Sequence, residues 1–292
     1  MSASANARDI STVLYGAATI QQQLKEQQLQ GLLIAFVSIL QHATPLEISD
    51  TLWSVATLSQ EVPEDQLQLL LADFAAKLQQ ATPRHVVSTL WACAKLGYLP
   101  QQLLAAPELA GLLQAGSAQQ LANAARACGQ LGHRDEQLMA ALLPEVQRRL
   151  TAASSSRNTP VHTWLLDFQL AGAQGLQGSL TAQQLQQCRA WDRSLQEAAG
   201  QGGTDFQRSV FAAVCQLPIT WQQQPQMEQL SVGRGGFTTD GALLLDIAGR
   251  TANGVLVAVE ADGPTHFRRP DGGLKGATQY RNRALADASI QL

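Results

Sequence analysis

Tyr15, Trp53 and Trp91 stand 38 residues apart, and their surroundings recur with them. Ile10, Ile48 and Val86 share one slot of the repeat, and Leu14, Leu52 and Leu90 share another. A fourth copy follows after 35 residues. It sets Cys128 on Cys93 and Leu131-Gly132 on Leu96-Gly97, with Arg126 in the aromatic slot. Thr159-Pro160, with Trp164 and Phe168, opens a degenerate fifth copy. A period of this length constrains the fold more than any other feature of the chain. One unit cannot bury its own apolar face, so neighbouring units must stack around a continuous core.

Each unit reads as two helices. Thr44-Pro45 and Thr82-Pro83 are cap and first-turn pairs, because threonine accepts from free amides and proline has none to leave unpaired. Val86, Leu90, Cys93 and Ala94 then recur at helical spacing, and Gly97 and Gly132 end their helices. The second helices are expected at 21–42, 64–81, 101–116 and 134–153. Stacked pairs of this kind form an α-helical solenoid with a long groove. The stripe of Tyr15, Trp53 and Trp91 reads either as a platform for stacking bases or as core between helices, and its apolar neighbours favour core.

Charged residues are 15% of the chain, against roughly 25% in an average soluble domain. The net charge of −3 excludes a polycation that grips nucleic acid by bulk electrostatics. Lysines and arginines number 10 in residues 1–158 against 12 acids, so any basic face there must come from segregation of charge. The most apolar run, Gly31 to Val37, breaks at Ser38 and Gln41, far short of the ~20 residues of a membrane-spanning helix. No membrane partner is expected. Cys93, Cys128, Cys188 and Cys215 have neither disulfide-scaffold nor zinc spacing and read as small core residues.

The Leu-Trp-x-x-Ala-x-Leu-Gly first helix of a 38-residue pair resembles the octotricopeptide repeat of green-algal organelle proteins, which bind single-stranded organellar RNA. The resemblance covers residues 6–153, departing at the short third boundary and at Arg126. It implies a chloroplast location, with the mitochondrion as the alternative. The first residues carry only Arg8 before Asp9 and show no targeting peptide, and upstream repeats with such a peptide are expected ahead of Asn6.

Residues 154–218 read as a degenerate repeat and linking helices. The serines and glycines of 151–180 make a flexible joint, and helices follow at 181–199 and 205–216, anchored by Trp191 and Phe211. From about 219 the period changes. Leu243 to Ala248 and Val255 to Glu260 read as buried strands, joined by the hairpin signal Asn253-Gly254. Glu260 and Asp262 then share one face of the second strand, and Asp246 approaches from the first.

Asp246-Ile247-Ala248, Val257 to Phe267 through Glu260-Ala261-Asp262-Gly263, and Gly276 to Leu285 resemble the RAP domain of the FAST-kinase-like/RAP organellar RNA-binding family. The resemblance spans about 240–292, within a module expected over 219–292. Family members run on through another strand and an aromatic-containing helix, so it implies a module cut short at Leu292. It also implies a restriction-endonuclease-like fold and a role in RNA processing, mRNA stability or translation, with other RNA-processing proteins as further partners. The expected fold class is therefore mainly α, a repeat solenoid over 1–153 followed by a small α/β module.

Two readings of the carboxylates stay open. Nucleases of that fold hold a divalent metal with an aspartate and a Glu-x-Lys pair, and the lysine assists the attacking water. Asp246, Glu260 and Asp262 are then the catalytic candidates, Asp246 and Glu260 the candidate Mg²⁺ ligands, and Asp262 replaces the lysine. In the bland reading they cap strand ends and accept hydrogen bonds, and no cofactor is needed; beside these two, they could contact RNA or a protein partner directly. His266 reads as a turn histidine or an RNA contact. Arg268, Arg269, Lys275, Arg281 and Arg283 make either a phosphate-facing surface or a merely solvated one. The function expected is RNA binding without catalysis, against a metal-dependent ribonuclease and a protein-binding scaffold.

Overall fold

The computed structural model describes residues 6–60, 62–133, 138, 204–230, 244–263, 267, 273–275, 278, 279, 281 and 282. The described chain is mainly helical, with one small three-stranded antiparallel sheet. It divides into two compact units, one of residues 1–154 with 268–277, the other of 155–267 with 278–292. Among the described residues no helix is long and apolar enough to cross a membrane. The expected helices 134–153 and 181–199, with Trp164, Phe168 and Trp191, lie outside the described residues, Leu138 excepted.

In the first unit the repeat register becomes backbone geometry. Helices α1 (Ala7–Thr19), α3 (Pro45–Leu58), α5 (Pro83–Leu96) and α8 (Ala118–Leu131) open on capping boxes at Asn6, Thr44, Thr82 and Ser117. Each cap side chain accepts from the third helical amide, and that third residue's side chain accepts from the cap amide. The four helices leave through one left-handed residue in the same slot: Gln21, Ser59, Gly97 and Gly132, with φ of 54°, 53°, 71° and 68°. Ile10, Ile48, Val86 and Leu121 are buried in one slot, and Leu14, Leu52 and Leu90 in the next. The helices pack in succession, α1 on α3, α3 on α5 and α5 on α8.

The second helices keep the register too. In α2 (Glu26–Ser38) and α4 (Glu64–Ala76), Leu29 matches Leu67, Leu33 matches Leu71 and Phe36 matches Phe74, all buried. Short 3-10 turns at Leu40–His42 and Leu78–Gln80 end these two helices earlier than the sequence suggests. The third pair departs further. The expected helix at 101–116 is broken into α6 (Gln101–Leu104) and α7 (Leu109–Gln114) around Pro107, which lacks an amide and disfavours helix before it.

Side-chain staples fasten one pair to the next. Gln60 Nε2 donates to the Leu24 carbonyl at 2.6 Å, and Gln23 Nε2 to the Leu58 carbonyl at 3.2 Å. Lys77 Nζ donates to the carbonyls of Leu40 at 2.9 Å and Ala43 at 2.8 Å, and pairs with Asp73. A cation on the free carbonyls at a helix end is favourable both as hydrogen bond and against the helix dipole.

In the second unit α9 (Asp205–Cys215) contacts β1 (Trp221–Leu230), which pairs antiparallel with β2 (Leu244–Thr251), itself paired antiparallel with β3 (Leu256–Val259). The turn between β2 and β3 sets Gly254 at φ 81°, as the Asn-Gly signal predicts. β1 is the strand the residues conceal. It carries Pro225, pairs with register breaks near Gln223, and reads as a polar stretch. An edge strand tolerates both features. Gly249 makes room for it, since a Cβ there would lie 3.0 Å from the Trp221 ring and 3.1 Å from the Pro225 backbone. Val214, rather than Phe211, is the buried anchor of α9.

Candidate nucleic-acid interface

The aromatic slot forms a ladder. The ring centroids of Tyr15 and Trp53 lie 5.1 Å apart at 35°, and those of Trp53 and Trp91 6.4 Å apart at 31°. Tyr15 is 37% exposed, and both tryptophans are half-buried. The ladder is therefore part core and part surface. A stacked base needs about 3.4 Å on each face, so 5.1 Å admits none between Tyr15 and Trp53.

Two polar rows flank it, one turn of helix to either side. Thr12, Asp50, Ser88 and Asn123 make one, and Thr19, Thr57, Lys95 and Gln130 the other, each residue exposed or half-buried. Reading every slot of the 38-residue register, and not the aromatic slot alone, would have found them. Lys95 Nζ stands 5.0 Å from the Trp91 ring centroid, a cation–π distance. Burial pushes the Lys95 ammonium below its ordinary range, and the like charge of Lys275 pushes it the same way. Lys275 thus belongs electrostatically with the Trp91 end of the ladder. Arg126 is exposed in the next aromatic slot. On the other row, burial raises the Asp50 carboxyl against the lowering pull of Arg84 and His85. Burial lowers His85, the Arg84 charge acting in the same sense and Asp50 opposing.

The carboxylates of the second unit converge, through a residue the sequence placed elsewhere. The β2–β3 register, Ile247 opposite Val259, sets Asp246 opposite Glu260 one step further on. Asp246 Oδ1 accepts from Gln207 Nε2 at 2.7 Å, and Oδ2 from the Ala261 amide at 2.9 Å. Arg281 donates Nη1 to Glu260 Oε2 at 3.1 Å and Nη2 to Asp262 at 3.0 and 2.8 Å. Burial pushes Glu260 up to about 7, with Arg281 pulling it down and Asp246 pushing it up.

No protein-family model matches the chain, and no curated protein does.

The reading of the carboxylates therefore rests on the geometry, in which hydrogen bonds and an ion pair already engage five of the six oxygens of Asp246, Glu260 and Asp262. Both oxygens of Asp246 accept amide protons. A guanidinium bonds Glu260 Oε2 and Asp262, and Glu260 Oε1 is buried without a hydrogen-bond partner among the described residues. Among the described residues no three His, Cys, Asp or Glu side chains converge as ligands. Arg281, expected on a phosphate-facing surface, has only 15% of its side chain exposed and is engaged with two acids. Burial with two carboxylates outweighs exposure because an isolated buried acid is costly. Gln207 is the partner that sequence reasoning missed. Its signal was the capping box Thr204-x-x-Gln207, which explains the residue type but not the second bond to Asp246. His266, Arg268, Arg269 and Arg283 lie outside the described residues.

Cysteines 93 and 128 are buried in one repeat slot, Cys215 is exposed, and none of the three is in a disulfide. Burial raises the Cys93 thiol, which makes it inert as a nucleophile.

Proposed function

We propose that the chain binds single-stranded RNA along the first-helix ridge, and that it acts in an organelle on RNA processing, stability or translation. The half-exposed ladder of Tyr15, Trp53 and Trp91, with Lys95 on its last ring, carries this reading. Single-strand binders combine aromatic side chains with cations along the strand's path, and this ridge carries three rings with Lys95 and Arg126 at the Trp91 end and polar rows alongside. The reading takes the helix pairs as an α-solenoid of octotricopeptide type. It takes the α9 and three-strand unit as a RAP-like module on a restriction-endonuclease-like core, with Asp246, Glu260, Asp262 and Arg281 holding it together.

The test is titration of a fluorescent single-stranded RNA with the full chain at several salt concentrations. Affinity should fall steeply with salt, and Lys95→Gln and Arg126→Gln should each reduce the logarithmic slope by about 1. A folded protein that fails to bind at low salt sinks the proposal. Cutting of the RNA with Mg²⁺, stopped by Asp246→Asn, makes the chain a ribonuclease instead.

A further inference from the structure

The interface that joins one helix pair to the next is half-built on the outer side of α1. In α3 the slots of Thr51, Ser54 and Leu58 are 0%, 0% and 3% exposed, and Leu58 clusters with Ala17 and Ala18 of α1. In α5 the slots of Thr89 and Ala92 are closed in the same way. The matching slots of α1 are Val13, Gly16 and Ile20. Val13 is 53% exposed, Ile20 is 73% exposed, and a Cβ on Gly16 would meet nothing within 4 Å. Val13 has the branched shape of Thr51 and Thr89 without the hydroxyl, and Ile20 replaces Leu58 with another large apolar side chain. These are interior residue types at surface exposures, set on one helix face at the spacing of the buried interface.

We propose that this face of α1 is the receiving half of the same interface, and that its occupant is one more helix pair of this class. Its first helix would set small side chains on Ile20, as Ala17 and Ala18 do on Leu58. Continuity with α1·α3 and α3·α5 favours this occupant over a second copy of α1. A two-fold partner would present Val13 and Ile20 to themselves, whereas the interface as built sets small residues against large ones.

The proposal is tested by a full chain in which residues 44–81 are repeated immediately ahead of Asn6, so that the added pair enters in register. Helix content should rise by one pair and the thermal midpoint should rise with it. Val13→Asp together with Ile20→Asp should cancel the rise in midpoint, yet move the midpoint of the unextended chain little, because both side chains are exposed there. No rise, or a rise that survives both substitutions, overturns the proposal. So does a dimer of the unextended chain, seen by sedimentation and dispersed by the same substitutions, since the occupant is then a second copy.

Discussion

Gln207 grips the carboxylate of Asp246 at 2.7 Å while its own carbonyl oxygen accepts from the Thr204 amide at 2.6 Å. One side chain thereby closes the N-terminus of α9 and ties that helix to β2. Asp246→Asn replaces one acceptor oxygen with a donor that faces an amide proton of Gln207 or Ala261. It should cost about 1–3 kcal/mol in urea unfolding. Gln207→Ala should cost a similar amount, and the double variant less than the sum, because the two changes remove one shared bond.

Glu260 makes the second unit sensitive to pH. Its folded value of about 7 lies above the ordinary 4.5, so the folded state holds a proton that the unfolded chain has already released. The stability this group contributes is complete below pH 4.5 and is lost as pH rises to about 7. The loss should reach roughly 3 kcal/mol. Glu260→Gln, which keeps the shape and cannot ionise, should flatten the dependence of the unfolding midpoint across that window. An unchanged profile would show that Glu260 does not titrate there.

The ladder should be load-sharing in proportion to burial. Trp53 touches a ring on each side, and Trp53→Ala should destabilise by roughly 2–4 kcal/mol. Tyr15 has one ring neighbour and more exposure, so Tyr15→Ala should cost about 1 kcal/mol. Equal losses at the two sites, measured by denaturant unfolding, would contradict this.

The helix exits offer a gain. Ser59 holds φ 53° in the slot where Gly97 holds 71°. A side chain in the left-handed region costs about 1 kcal/mol, so Ser59→Gly should raise stability by that order. Gly97→Ala should lower it similarly, and thermal midpoints of the two variants should move in opposite directions.

The sequence by itself determined what is local or periodic. Thr44-Pro45 and Thr82-Pro83 carry their cap chemistry within four residues, Asn253-Gly254 carries its turn within two, and the slots of Ile10, Leu14 and Tyr15 repeat whatever surrounds them. Such features are legible because their physical cause lies inside the window being read. Tertiary structure decided the rest. Nothing in Trp221-Gln222-Gln223-Gln224-Pro225 announces a strand, because β1 forms only where Gly249 leaves room for Pro225. The engagement of Arg281 with Glu260 and Asp262 joins residues about twenty apart through no periodic rule. It arises because a buried acid needs a cation, and the fold decides which one arrives. Val13 and Thr51 look equivalent in register, yet one is open and the other closed, since burial belongs to the neighbour and not to the residue.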